Sequence, residues 1–105
     1  MSTSNEITMI LDEKTKETIL AVADTNRLEI LFHIGNQGRM CVGDIASRFK
    51  ISRPAISHHL KVLKNCGLVS GDKVGQEIYY SVNVSDLIKM LRDLADNLEN
   101  CCCPK

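Results

Sequence analysis

At 105 residues the chain has the length of a single domain, and its 44% hydrophobic content with no Trp, two Phe and two Tyr calls for a core of Leu, Ile, Val and Met. No apolar run reaches the roughly 18 residues of a membrane span, and the polar, acidic stretch Met1 to Lys16 lacks the order of a signal peptide, so a cytoplasmic protein is expected. Formal net charge is zero, but Asp44 to Gln76 carries six Lys/Arg against two acids, while the segments on either side are each net acidic; a basic centre between acidic flanks is the asymmetry of a surface that meets phosphate.

Residues 1–6 read as frayed. A first helix is expected from about Ile7 or Asp12 to Ala23, with Ile19, Leu20, Val22 and Ala23 apolar near its end. Asp24 or Thr25 then caps a second helix carrying Leu28, Ile30, Leu31 and Ile34, which Gly35-Asn36-Gln37-Gly38 stops. The third helix is expected over Val42 to Phe49, with Val42, Ile45, Ala46 and Phe49 on one buried face. Lys50-Ile51-Ser52 is a three-residue turn. Ser52 caps a fourth helix, Pro54 suits its first turn, Ile56, Leu60 and Leu63 form its buried face, and Gly67 stops it after Cys66. The period then changes from 3.6 to 2. Leu68-Val69-Ser70 and Glu77 to Val82 read as two strands around a polar loop, Gly71 to Gln76. A last helix is expected from about Val84 to Asn100, with Leu87, Leu91, Leu94 and Leu98 in heptad spacing and Met90 beside them. A terminal helix with such a seam calls for a partner, so these residues and Ile19 are the expected interface of a homodimer.

Two short helices joined by a three-residue turn and followed by a hairpin make a winged helix-turn-helix: a mainly α fold of about five helices with a small β-hairpin. Its second helix enters the major groove of double-stranded DNA by its leading end. The residues there are Ser52, Arg53, Pro54, Ser57 and His58. Arg53 is the candidate for bidentate contact with guanine, because its planar fork matches two acceptors on one base edge. Lys61 and Lys64 are placed to neutralise phosphates, and Lys73 with Gln76 at the wing suits minor-groove or backbone contact. His59 is expected to point away from the groove, and His33 to be a partly buried helix histidine. Cys66 reads as a small packed residue, Met40 and Met90 as core or interface. No enzyme is expected, for there is no nucleophile motif, no Gly-rich phosphate loop and no Cys-x-x-Cys opening a helix after a strand.

The stretches Cys41 to Ala46, Ile51 to Leu63, Gly67-Leu68-Val69 and Gly75 to Ser81 resemble the ArsR/SmtB family of metal-responsive repressors, as does Ala23 to Leu31 upstream. The resemblance covers about residues 18–98. It implies a dimer that binds operator DNA, with Arg53, Pro54, Ser57 and His58 facing it, and that an inducer releases.

Where an inducer would bind is left open by the residues. The family's arsenic-type site uses Cys-Val-Cys at the start of the third helix; here Cys41 is present and Gly43 stands in place of the second thiol. Its zinc-type site on the last helix uses Asp and His, and the matching positions here, approximately Val84, Asp86, Asn97 and Asn100, include no histidine. Cys101, Cys102 and Cys103, expected in a flexible tail over 101–105, are consecutive and so unsuited to a disulfide framework. Thiolates suit arsenite, cadmium or zinc, and two of the tail thiols with Cys41, from the other subunit, form a possible site. The alternatives are a thiol-redox or persulfide sensor without a metal, whose first cysteine aligns near Phe32, incidental tail cysteines, or a metal-trafficking protein that uses its helix-turn-helix for protein contact. No cofactor is expected for folding.

Overall fold

A computed structural model describes residues 11–102, of the last two the backbone alone. The helices start where a side-chain oxygen is available to an unpaired backbone N–H. Asp12 accepts from Thr15 N at 2.8 Å and opens α1 (Glu13–Val22); Asp24 accepts from Arg27 N at 3.1 Å and opens α2 (Thr25–Gln37). Ser52 Oγ accepts from Ala55 N at 3.3 Å at the start of α4 (Arg53–Asn65), and Pro54 occupies its first turn. After α4 the chain turns at Gly67, whose φ of +79° is a left-handed conformation that a side chain would strain.

Between α2 and α4 lie β1 (Met40–Cys41) and the short α3 (Val42–Ala46). Ile30, Leu31 and Ile34 of α2 meet Met40, Ile45, Ile56, Leu60, Leu63, Leu68 and Val69 in one aliphatic core. None of these is more than 2% exposed. Each large side chain so removed from water contributes about 1.5–3 kcal/mol. Phe49 lies beyond α3, half-buried, with its ring edge-on to His33 at 5.0 Å. The third helix is therefore shorter than the expected Val42 to Phe49: Ser47, Arg48 and Phe49 stay hydrogen-bonded to Gly43 and Ile45, but as an irregular turn rather than as α-helix.

The hairpin is longer than the two expected strands. β2 (Val69–Val74) and β3 (Glu77–Val82) pair antiparallel from Val69↔Val82 to Val74↔Glu77, which leaves only Gly75 and Gln76 in the turn. The residues expected to form a six-residue loop are thus mostly strand. They gave no alternating signal because every residue of β2 beyond Val69 is exposed, on both faces. Gly75, at φ +65°, permits the two-residue connection. β1 adds a third strand on the other edge of β3, with Met40 opposite Tyr80 and Cys41 opposite Tyr79. Two residues are too few to show a period.

The last element, α5 (Val84–Cys102), runs past the expected end at Asn100 to include Cys101 and Cys102. It packs on α1 and reaches the core through Leu87. Asn83 fixes its start: its side-chain amide donates to Gly67 O at 2.8 Å, and its side-chain oxygen accepts from Ser70 Oγ at 3.0 Å.

One polar junction ties the front of the molecule together. Arg27 Nε donates to Ala21 O at the end of α1 at 2.6 Å, and Arg27 Nη1 lies 3.3 Å from His59 Nδ1 on α4. As an acceptor from a guanidinium, Nδ1 must be unprotonated. Burial pushes the His59 imidazole below its usual value of 6.5; Asp24 opposes this, while Arg27 and His58 add to it. Because the folded state binds this proton less readily than the unfolded chain, its contribution to stability is complete above pH 6.5. It is lost as pH falls through 6.5 toward the lower folded value. Thermal unfolding at pH 7.5 and 5.5 is expected to show a fall in Tm that is smaller in His59→Gln; an unchanged pH dependence in that variant would contradict the assignment.

Candidate nucleic-acid interface

The face of α4 that meets the core is Ile56, Leu60 and Leu63, each without exposed surface. At 3.6 residues per turn this sends the rest of the helix outward. Arg53, Pro54, Ser57, His58, Lys61 and Lys64 are all exposed, as is Ser52 ahead of them. Ser52 Oγ is engaged as the cap of the helix. The leading turn of α4 therefore presents a guanidinium, a hydroxyl and an imidazole, with two ammonium groups behind them. His59 departs from this row. It turns to Arg27 and lies half-buried, with its ring centroid 6.0 Å from that of His58.

Among the described residues no ion pair consumes the cations of the central segment. The ion pairs of those residues are Lys16–Glu13 and Lys89–Asp93, His33 also lies 3.7 Å from Glu29, and none of these contacts uses a base between Arg48 and Lys73. Arg48 and Lys50, exposed in the turn between α3 and α4, extend the same strip. In the wing, Lys73 stands within β2 opposite Ile78 rather than in a loop, and Gln76 lies in the turn; both are exposed. A further cation was missed from the sequence. The Arg39 guanidinium lies 4.7 Å over the Tyr79 ring and brings positive charge to the base of the wing. The available signal was an Arg beside the short β1 and a Tyr in β3, which only the pairing of those strands brings together.

The sulfur-bearing residues are spread apart. Cys41 is buried, 6% exposed, where β1 passes into α3. A side chain at Gly43 would meet the Arg53 guanidinium, so where the arsenic-type site has a second thiol this chain has a cation nearby. The two-thiol arrangement of that site is therefore not formed here, and Cys41 is the one thiol at that point. Cys66 is half-buried against Glu17 O, and burial, with Glu17, pushes its thiol up, as expected of a packed rather than reactive residue. Phe32 is 66% exposed at the edge of an apolar groove of about 540 Å³ between α2 and the start of α5, and among the described residues no thiol lines that groove. On α5, Asn97 bonds back to Asp93 O at 3.0 Å, and Val84, Asp86 and Asn100 are exposed. Among the described residues no three His, Cys, Asp or Glu side chains are placed to hold a metal ion. Cys101 and Cys102 are described only as backbone of α5, and Cys103 lies outside the described residues.

The expected heptad seam divides into two stripes. Leu87, Met90 and Leu94 are half-buried, as is Ile19 on α1. Leu91 and Leu98, 52% and 55% exposed, fall instead with Val84 and Ile88 on an outer stripe. Leu20 on α1 is 69% exposed. Met40 is core, and Met90 lines the cleft between α1 and α5. No helix of the described residues is long and apolar enough to cross a membrane.

Comparison with known proteins places this geometry. Residues 24–70 match the model of the bacterial regulatory proteins of the arsR family, a segment running from the cap of α2 into β2. The chain is 34% identical over 93 residues to a transcriptional repressor SmtB homolog of Synechocystis, covering 87% of this chain and 70% of that one. It is 30% identical over 89 residues to the arsenical resistance operon repressor of Bacillus subtilis, covering 85% and 80%. An ArsR-like transcriptional regulator from Rhodococcus superposes with a TM-score of 0.72 at 36% identity, over 79% of this chain and 77% of that one. The homodimeric winged helix-turn-helix DNA-binding domain of a possible ArsR-family regulator from Mycobacterium bovis does so with 0.66 at 29% identity, over 80% of each. These relatives are named as regulators and repressors of transcription, not enzymes. The chain belongs to the ArsR/SmtB family of DNA-binding, winged helix-turn-helix transcriptional repressors.

Proposed function

We propose that this protein is a homodimeric repressor that leaves its operator when cysteine thiols bind a thiophilic metal or metalloid. The observation that carries the DNA contact is the exposed row on α4, with its unpaired cations, opposite a fully buried face. In this reading Arg53 contacts a guanine edge, while Ser52, Ser57 and His58 bond to neighbouring bases or phosphates around Pro54. Lys61 and Lys64 hold the phosphate backbone, and Lys73 and Gln76 of the wing contact the adjacent backbone or minor groove.

Dimerisation is supported by the outer stripe of α5 and by the homodimeric state of the mycobacterial relative. Leu91 and Leu98 lie at its centre, and the half-buried Leu87, Met90, Leu94 and Ile19 complete the proposed interface. Two copies bring two recognition helices to a palindromic site. The inducer ligands are Cys41 and the thiols of Cys101, Cys102 and Cys103, tail thiols of one subunit serving with Cys41 of the other. What supports this is the softness of thiolate as a ligand and the arsenical and cadmium resistance regulators among the relatives. A protein of this family acts in the cytoplasm, where such thiols stay reduced.

The test is fluorescence anisotropy of the reduced protein on a selected palindromic duplex, titrated with arsenite, cadmium, zinc and an organic persulfide. Release by arsenite or a thiophilic metal is expected, and its loss in a Cys101→Ser, Cys102→Ser, Cys103→Ser variant that still binds DNA. Release by persulfide alone would overturn the metal reading. On the same duplex, Arg53→Ala is expected to lose roughly 1–3 kcal/mol of discrimination at one base pair, whereas Lys64→Ala weakens all sequences alike and lowers the salt slope by about one. Leu91→Glu with Leu98→Glu leaves the core untouched. It is expected to sediment as a folded monomer and to bind the palindrome about a hundredfold more weakly; a dimer in that variant would remove α5 as the interface.

A further inference from the structure

We infer that Gly43 is a positioning residue for Arg53: its missing side chain leaves a bare strip of α3 against which the guanidinium is held ready for the groove. This deepens the reading of Arg53 as the base-contacting residue and rests on it.

Nothing in the backbone calls for glycine at position 43. The positive φ angles of the described residues belong to Gly38, Gly67 and Gly75, so Gly43 has an ordinary helical conformation. It is the second residue of the five-residue α3, a place where glycine is a poor helix former. What fills the space is the side chain of Arg53. A Cβ built on Gly43 would lie 3.2 Å from Arg53 Nη2 and 4.0 Å from Arg53 Cζ, with Cys41 Sγ at 3.8 Å. The first distance is tighter than most such contacts, so a methyl group there requires the guanidinium to give by a few tenths of an ångström and a longer side chain requires it to leave.

The contact spans the two helices of the helix-turn-helix. Arg53 is the first residue of α4, and its far end rests on the first turn of α3. Among the described residues no ion pair holds it. An exposed arginine samples many rotamers and must give them up to make a bidentate contact. A guanidinium set against the space at Gly43 has already surrendered part of that freedom, and the loss is not repeated on binding. Gly43 thereby raises the affinity and selectivity of Arg53 without itself touching DNA.

A double-mutant cycle on the full chain separates this from a merely structural role. Wild type, Gly43→Ala, Gly43→Gln, Arg53→Ala and the two double variants are titrated by anisotropy on the selected palindrome and on a duplex changed at the base pair that Arg53 reads. Thermal unfolding of each monitors the fold, and the Gly43 variants are expected to melt no lower than wild type. With Arg53 present, Gly43→Ala is expected to weaken binding by roughly two- to tenfold and to reduce discrimination at that base pair, with Gly43→Gln at least as severe. With Arg53→Ala already in place, neither substitution changes affinity further. Equal losses with and without Arg53, or no loss in its presence, would overturn the inference while leaving Arg53 as a base contact. If Arg53→Ala alone changes neither affinity nor discrimination, the assignment of Arg53 fails and this one with it.

Discussion

Ile45 on α3 and Ile56, Leu60 and Leu63 on α4 have no solvent-exposed surface, and they share one cluster with Ile30 and Ile34 of α2. That shared burial fixes how the two helices of the DNA-binding unit meet. Truncating one such side chain costs about 2–5 kcal/mol, against a total stability of about 5–15 kcal/mol for a domain. The helices therefore cannot be turned independently. Once α4 commits Ile56, Leu60 and Leu63 inward, Arg53, Ser57, Lys61 and Lys64 have only the outside left. The exposed row of α4 is a by-product of the core, and its placement is as rigid as the packing beneath it.

The same logic explains what was legible in the sequence. The caps Asp24 and Ser52, the buried triplet of α4 and the stop at Gly67 each leave a signal at fixed spacing, and all are where the spacing puts them. The exposed row of α4 follows from that triplet by subtraction. Features that depend on another part of the chain left no such mark. The strand Met40–Cys41 exists because β3 has a free edge, and no pattern within two residues reports that. The wing is strand through Lys73 and Val74 because β3 runs alongside, although neither face of that part of β2 is covered. On α5 the heptad rule merged two apolar stripes into one: Leu87 and Leu94 turn to the domain, whereas Leu91 and Leu98 do not. Separating them requires knowing which side α1 occupies. Gly43 is the clearest case. From the chain alone it is a thiol that is absent; in three dimensions it is room for a guanidinium.

Zero net charge is compatible with a nucleic-acid-binding surface because the pairing of charges is local. The charge contacts of the described residues join neighbours on one helix, in α1, α2 and α5, and those helices carry the acidic flanks. Neutralisation there leaves the cations of α4, the preceding turn and the wing to the solvent. Their field is felt over about a Debye length, roughly 8 Å at physiological salt, which is comparable to the reach of a lysine from its helix. At that range the total charge of the chain matters less than what lies on the same face.

The opposite end of the molecule has a defined physical route to this face. Asn83 sits between β3 and α5, and its amide bonds to Gly67 O at the end of α4 while its carbonyl oxygen bonds to Ser70 in β2. Its backbone N–H also donates to Leu68 O at 2.8 Å, and Leu87 N donates to Asn83 O at 3.1 Å, so the first turn of α5 hangs from the last turn of the recognition helix. The carbonyl that Asn83 grips belongs to Gly67, the residue that follows the cap of α4 and has a left-handed backbone. Leu60 and Leu63 tie α4 to the rest of the core, where close packing leaves little room for bending. α5 thus meets the end of α4 through the polar bonds of Asn83, as well as through Leu87 in the core and its packing on α1.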